Sequence, residues 1–402
     1  MINKDKSFTN PNIDLLDDYP FKRLNNLIKK TASPKNKKKI ILSLGEPSHS
    51  PPKYLKKKIN DNFKDWSKYP PSLGTKKLNT SCLNWLRRRF KIPTNFLREE
   101  KHILQVAGTR EGLFNIALAI NPQQNKKEKP VTLMPDPFYQ VYAGAAVMSG
   151  SEPVAVPSLE KNRFIPCFEK VNNKILNRTT LIYICSPSNP EGTSLTLKEW
   201  ESLINFSKKI GAILVADECY SEIYVNKPPV GILQACYKMN KSLKNIVSFH
   251  SLSKRSNVPG LRSGFVVGDS KIIDTYKKLR HYCAGQQPLP IQEAASSLWD
   301  DDDHAIENRK KYKLKFKIAK KILQNKSNFT IPDGGFYIWL KVKNDEIFTK
   351  TLWGRYGVKV MPGSYLSKSS FAKSYVRIAL VESNLNISKA LKAISCLLEE
   401  NY

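Results

Sequence analysis

NIVSFHSLSKRSNVPGLRSGFVVGD, residues 245–269, holds two apolar runs of strand length around a polar turn. The runs IVSF and GFVV are continuous rather than alternating, which suits strands buried on both faces. In the turn, Lys254 follows the small hydroxyl residues Ser251 and Ser253, and Arg262 stands eight positions later, past a Pro-Gly step. A lysine that acts as a nucleophile needs a lowered pKa, which burial and nearby positive charge provide. An arginine's planar fork suits a phosphate dianion. Taken alone, a lysine in this chain reads far more readily as one of its many solvated ones.

The same pattern extends upstream. KHILQVAG, PVTLMPD, EPVAVP, TTLIYICSP and AILVADECY read as strands, and REGLFNIALAI, YQVYAGAAVMSG and LKEWESLINFSKKIG as helices. Buried runs alternating with helices predict an α/β domain around a mostly parallel sheet covered on both faces. After Cys283 the pattern becomes α+β. PIQEAASSLWDDDDHAIENRKKYKLKFKIAKKILQ is helical with an acidic break, and its lysine spacing suggests a wet face. FTIPDGGFYIWLKV reads as two strands around a Gly-Gly turn, and NISKALKAISCLLEENY as a closing helix. The expected organisation is an N-terminal segment, residues 1–50, packing with a small domain, a large domain over 51–285, and the small α+β domain over 286–402.

Composition narrows the function classes. The chain has 402 residues and a formal net charge of +31, with lysine outnumbering arginine by 52 to 14. The lysines are dispersed along the chain, and no zinc-finger or RNP-type aromatic motif accompanies them. The charge therefore reads as solvated surface, with no nucleic-acid partner expected. No apolar run reaches the length of a membrane span, and the first ten residues contain no signal-like apolar core. Seven scattered cysteines without a C-x-x-C pair predict a reduced, cytoplasmic protein without a zinc site. No other metal site is expected.

Several motifs sit where strands end. Gly108, Thr109 and Arg110 stand at a strand-to-helix junction, where free N–H groups favour an anion. Asn189, in SPSNPEG, follows a buried strand at the sheet edge where ligands of open α/β folds bind. Asp217 ends the run AILVA, and a carboxylate there needs a cationic or hydrogen-bonding partner. Tyr220 lies three residues on, within reach of the same point. Each motif alone has an ordinary structural reading as a helix cap or a turn.

Their order is far more specific. The sequence carries SLGEPS, an aromatic pair in DPFYQVY, the Asn-Pro-x-Gly loop, Asp-x-x-Tyr, Ser-x-Ser-Lys, Arg at +8 and a late VRIAL. It resembles the fold-type-I pyridoxal-phosphate (PLP) aminotransferases of class I/II from residue 43 to the last helix. The resemblance implies a large domain with a mostly parallel seven-stranded sheet and a smaller α+β domain. It implies Lys254 as the lysine that holds the cofactor, Asp217 at the ring nitrogen, and Asn189 with Tyr220 at the ring's 3-oxygen. Tyr139 would stack on the ring. Gly108, Thr109, Arg110, Ser251, Ser253 and Arg262 would surround the phosphate. Tyr69 would reach the phosphate in the neighbouring subunit of a homodimer with shared sites. Arg377 would bind the substrate α-carboxylate, and Gly45 would line the substrate side with Asn189. Amino acids and 2-oxo acids are the implied substrates. The connecting text, such as LSLGEPSHSPP and DECYSEIY, resembles the branch acting on N-succinyl-L,L-diaminopimelate. Arg255 and Arg110 are the candidates for reading its distal end. Two positions depart from the family pattern: Glu191 where Thr is usual, and Ser263 where an aliphatic residue or Ala is usual.

Overall fold

The computed structural model describes residues 9–121, 128–240, 242–283, 285–324 and 329–400. Its centre is a seven-stranded sheet. In spatial order the strands are Ile103–Val106, Gly264–Gly268, Ile246–Ser251, Ile213–Asp217, Thr179–Cys185, Val131–Asp136 and Glu152–Pro157. Gly264–Gly268 runs antiparallel to both of its neighbours, and the remaining pairs are parallel.

Side-chain alternation along the strands builds two cores, as the two-residue period of a strand requires. Leu181, Tyr183, Val215, Val247, Phe249 and Val266 face one side, against the helices Thr109–Ile120, Gln140–Met148 and Ser270–Cys283. Ile182, Ile184, Leu214, Ala216, Phe265 and Val267 face the other, against Trp85, Trp200 and Trp299. The helix Leu197–Lys209 starts with a capping box between Thr196 and Glu199, which satisfies its free N–H groups at both ends of the motif.

The one reversed strand matters for function. Its register sets Gly264 opposite both Val106 and Ser251. The amino end of that strand therefore meets the carboxyl ends of the parallel ones. Arg262, two residues earlier, is delivered to the same rim as Gly108 and Ser251.

A second body holds the strands Met361–Pro362, Tyr375–Ala379 and Tyr337–Lys341 in an antiparallel sheet, with the helices Asp303–Leu323, Asp345–Tyr356 and Asn384–Glu399. The N-terminal segment joins it. Ile40–Ile41 pairs in parallel with Val358–Lys359, and Leu24 and Ile28 of the helix Pro20–Ile28 pack with Trp353 and Met361.

Three expectations need correction. The packing does not change after residue 285: Ala294, Ala295, Leu298 and Trp299 of the helix Leu289–Asp300 still belong to the large core. The acidic break that follows is where the chain passes over. FTIPDGGFYIWLKV forms one strand, Tyr337–Lys341, with a single bridge from Gly334 to Tyr224. Pro332 has no N–H to give a ladder, which disfavours the first strand. Lys315, in the lysine-rich helix, is 2% exposed and so does not lie on a wet face.

Candidate active site

Lys254 sits in a one-turn helix, Leu252–Arg255, directly after the strand Ile246–Ser251. Ser251 caps that turn by accepting from the Ser253 N–H at 3.1 Å, and Ser251 Oγ donates to Ser253 Oγ at 3.0 Å. The Lys254 Nζ donates to the Gly45 carbonyl at 2.5 Å. Burial, with the Arg377 charge adding to it, lowers the Lys254 pKa to about 8.

Asp217 ends its strand beneath the same cavity. Its carboxylate accepts from Tyr142 Oη at 2.7 Å and from the Cys219 N–H at 3.2 Å. Burial pushes its pKa up, and those hydrogen bonds oppose the rise. Among the described residues Asp217 forms no ion pair. A cationic ring nitrogen in the cavity would suit this buried carboxylate.

Gly108 adopts φ +84°, which favours glycine, and leads into the helix Thr109–Ile120. A Cβ at Gly108 would fall on the Arg262 guanidinium. The helix N-terminus and the arginine thus face each other with no side chain between them. Arg262 itself is anchored by the Pro259 carbonyl at 2.7 Å, and Thr109 Oγ1 lies 3.1 Å from Cys219 Sγ. This cradle combines dipole, N–H groups, hydroxyls and a fork, the donor set of a phosphate site.

Arg377 projects from the central strand of the small sheet. It donates to Asn189 Oδ1 at 3.0 Å and to the Ser43 carbonyl at 2.7 Å, while its buried Nε has no hydrogen-bond partner among the described residues. Tyr220 Oη and Tyr337 Oη are 3.0 Å apart. A Cβ at Gly45 would strike Tyr337, so that position admits no side chain. Tyr139 lines the cavity and accepts from Arg110 Nε at 2.7 Å.

The cavity is about 520 Å³, and its wall includes Gly45, Arg110, Tyr139, Asn189, Asp217 and Lys254. Thr109, Tyr220, Ser251, Ser253, Arg262 and Arg377 line it as well. Tyr69 does not: its side chain is 101% exposed, in the loop before the helix Lys76–Phe90.

Arg255 is a correction. It is 2% exposed and turned away from the cavity, donating to the carbonyls of Leu298 and Asp301 and to the Asp302 carboxylate. It fastens the turn to the chain between two helices and reads no ligand there. Ser263 is buried and donates to Gln287. Glu191 is buried in the cavity wall, and burial pushes its pKa up to about 8. Tyr142 and Tyr337 are the residues that the sequence motifs missed. Tyr142 stands three residues after Tyr139 in DPFYQVY, with nothing in that stretch to tie it to Asp217.

Among the described residues, no group of His, Cys, Asp or Glu could hold a metal ion, and no helix is long and apolar enough to cross a membrane.

Relatives share this arrangement's sequence and fold. The family model for aminotransferase class I and II matches residues 37–394. The LL-diaminopimelate aminotransferase of Natranaerobius thermophilus is 29% identical, over 94% of this chain and 96% of that protein. A crystal structure of an aminotransferase from Neisseria meningitidis is 36% identical with a TM-score of 0.92, covering 97% of this chain and 100% of that one. A probable N-succinyldiaminopimelate aminotransferase from Thermus thermophilus superposes with a TM-score of 0.82 at 20% identity, covering 93% and 99%, which shows the shared fold. The buried Asp217 carboxylate, the open phosphate cradle and the low-pKa lysine fit pyridoxal phosphate. This chain is a member of the class I and II aminotransferases, which use that cofactor to act on amino acids and keto acids.

Proposed function

We propose that this aminotransferase moves an amine between N-succinyl-L,L-diaminopimelate and 2-oxoglutarate, in the formation of diaminopimelate and lysine. The observation that carries the reading is a cavity whose wall holds two arginines besides Arg262, one of them at the edge of the cofactor cradle. Arg377 stands on the inner wall, and Arg110 is exposed. Such a pair suits a substrate with carboxylates at both ends. The relatives named for LL-diaminopimelate support the substrate class. They also favour a second reading, in which the unsuccinylated compound is the substrate.

The proposed residue roles rest on the family resemblance and are supported by the shared cavity. Bound pyridoxal phosphate supplies a sink for the electrons of the breaking Cα–H bond. Asp217 keeps a proton at the ring nitrogen, and Tyr142 keeps Asp217 aimed. Asn189 and Tyr220 would hold the 3-oxygen, Tyr139 would pack against the ring, and Gly108, Thr109, Ser251, Ser253 and Arg262 would hold the phosphate, with Arg110 at its edge. Arg377 would bind and orient the substrate's α-carboxylate for reaction at Cα. Lys254, with a pKa near neutrality, moves the proton between Cα and C4′. Two half-reactions in sequence give ping-pong kinetics.

We also infer a homodimer with shared sites, supported by the outward-facing Tyr69 and by the exposed Phe63 and Trp66 beside it. The proposal places the protein in the cytoplasm, on the strength of seven unpaired cysteines.

The test is an amine-donor screen with 2-oxoglutarate. It includes N-succinyl-L,L-diaminopimelate, LL-diaminopimelate, aspartate and the aromatic amino acids. The succinylated donor is expected to give the highest kcat/KM. A higher value for LL-diaminopimelate establishes the second reading. A preference for aspartate or aromatic donors, or release of a β-substituent in place of transamination, overturns both.

A further inference from the structure

The helical turn that carries Lys254 is only four residues long, Leu252–Arg255. Its last carbonyls have no following helix to receive them. One side chain meets two of them. Asn308 Nδ2, on the helix Asp303–Leu323, donates to the Lys254 carbonyl at 3.0 Å and to the Arg255 carbonyl at 3.2 Å. Asn308 is 2% exposed.

Carbonyls only accept, so these two bonds fix the orientation of the Asn308 amide. Its Oδ1 is then an acceptor. It receives Asn257 Nδ2 at 2.8 Å and lies 2.9 Å from His49 Nδ1. His49 must therefore carry its proton on Nδ1. That leaves Nε2 with a lone pair, and Lys315 Nζ donates to it at 2.8 Å. Lys315 also donates to the Val381 carbonyl at 3.2 Å. Each link has one allowed direction: Lys315 to His49, His49 to Asn308, Asn308 to the lysine-bearing turn. Burial, the first cause in both, lowers His49 to about 4 and Lys315 to about 8, so a neutral imidazole is the stable form at neutral pH.

The chain touches Lys254 from two sides. Asn308 holds the backbone beneath the amine. His49 ends the segment 43–49, which also supplies the Gly45 carbonyl to Lys254 Nζ and the Ser43 carbonyl to Arg377. Small body, N-terminal segment and lysine turn are thus tied at one point.

We propose that His49 and Asn308 are positioning residues for the Lys254 amine, holding its turn and the Gly45 carbonyl in register through a directed hydrogen-bond chain from Lys315. The proposal rests on the reading of Lys254 as the lysine that holds the cofactor.

The test compares His49→Gln, His49→Leu and Asn308→Ala as cofactor-loaded enzymes. Gln is neutral with one donor and one acceptor at its tip, so it can repeat the link, whereas Leu fills space and cannot. Three readouts are taken: kcat against KM, the pH midpoint of the bound cofactor's visible absorbance, and Tm. Asn308→Ala and His49→Leu are expected to lower kcat about 10- to 100-fold with KM changed less than about threefold, since misplacement of a reacting group acts mainly on kcat. Both should move the absorbance midpoint by about half a pH unit or more, because the amine's surroundings set it. His49→Gln should restore most of both values. If the kcat and midpoint of Asn308→Ala and His49→Leu match the parent while Tm falls, the chain is purely structural and the proposal fails. Equal behaviour of Gln and Leu at position 49 also overturns it. Borohydride trapping and peptide mapping on the parent come first. Label on another lysine removes the Lys254 reading itself, a result separable from any failure of the positioning chain.

Discussion

Glu191 is a carboxyl group inside the cavity wall, with a pKa raised from 4.5 to about 8. The folded chain therefore holds a proton there that the unfolded chain has lost. The stability this gives is present below the unfolded pKa and disappears as pH rises through the folded one. Glu191→Gln stays neutral throughout. Its stability advantage over the parent should be small at pH 4.5 and grow toward pH 8, by at most about 1.4 kcal/mol per pH unit. Thermal unfolding across that range measures it, and a constant gap would mean an ionised Glu191 in the fold. Arg377 gives a second prediction. Arg377→Lys keeps the charge but loses the fork that spans Asn189 and Ser43, so kcat/KM should fall about 100-fold at both low and high salt. The convergence of Lys254, Asp217 and Arg377 on one cavity was legible because their neighbours in sequence form ordered motifs. Tyr142 and Tyr337 were not, because their partners Asp217 and Tyr220 lie 75 and 117 residues away. Arg255 misled because adjacent residues on a helical turn point in different directions, and only its partners decide which way it faces.

The junction of the strand Ile103–Val106 with the helix Thr109–Ile120 depends on one residue without a side chain. Gly108→Ala places a Cβ on the Arg262 guanidinium and also strains a φ of +84°. The apoprotein's affinity for pyridoxal phosphate should drop at least about 10-fold, since the arginine must leave the cradle or the helix start must shift. A fluorescence or absorbance titration reads the loss directly. At this scale the buried strands were legible from their continuous apolar runs. The direction of Gly264–Gly268 was not, because hydrophobic pattern carries no sign for parallel or antiparallel pairing. The hairpin expected around Gly334 and Gly335 failed because its turn residues were read without weighing Pro332. Lys315 was misjudged for a similar reason: helical spacing tells which residues share a face, and it does not tell that a neighbouring imidazole and carbonyl wait for an ammonium there.

The whole molecule carries +31 charges, yet the site depends on a few arginines. Neutralising the lysines of the tract 35–39 should leave kcat/KM within about twofold at high salt, with some slowing of encounter at low salt. A collapse at both salts would relocate recognition to that tract. Mixing inactive Tyr69→Phe and Lys254→Ala chains tests the proposed shared sites, given that each variant is strongly impaired alone. Hybrid dimers then hold one doubly defective site and one intact site, so activity should reappear; proven chain exchange without recovery excludes sharing. The pairing of Ile40–Ile41 with Val358–Lys359 has a further consequence, one of timing. A ribosome adds about 5–20 residues per second, so the first of these strands waits roughly 15–60 s for its partner to be made. Within the last part of that interval, once Gly264–Gly268 has been made, the sheet of the large body can assemble while the amino-terminal strand stays unmatched. Nascent chains arrested after the helix Leu289–Asp300 has emerged but before residue 358 should therefore protect the large sheet from protease and leave the first forty residues open to cleavage, and the released full-length chain should protect both.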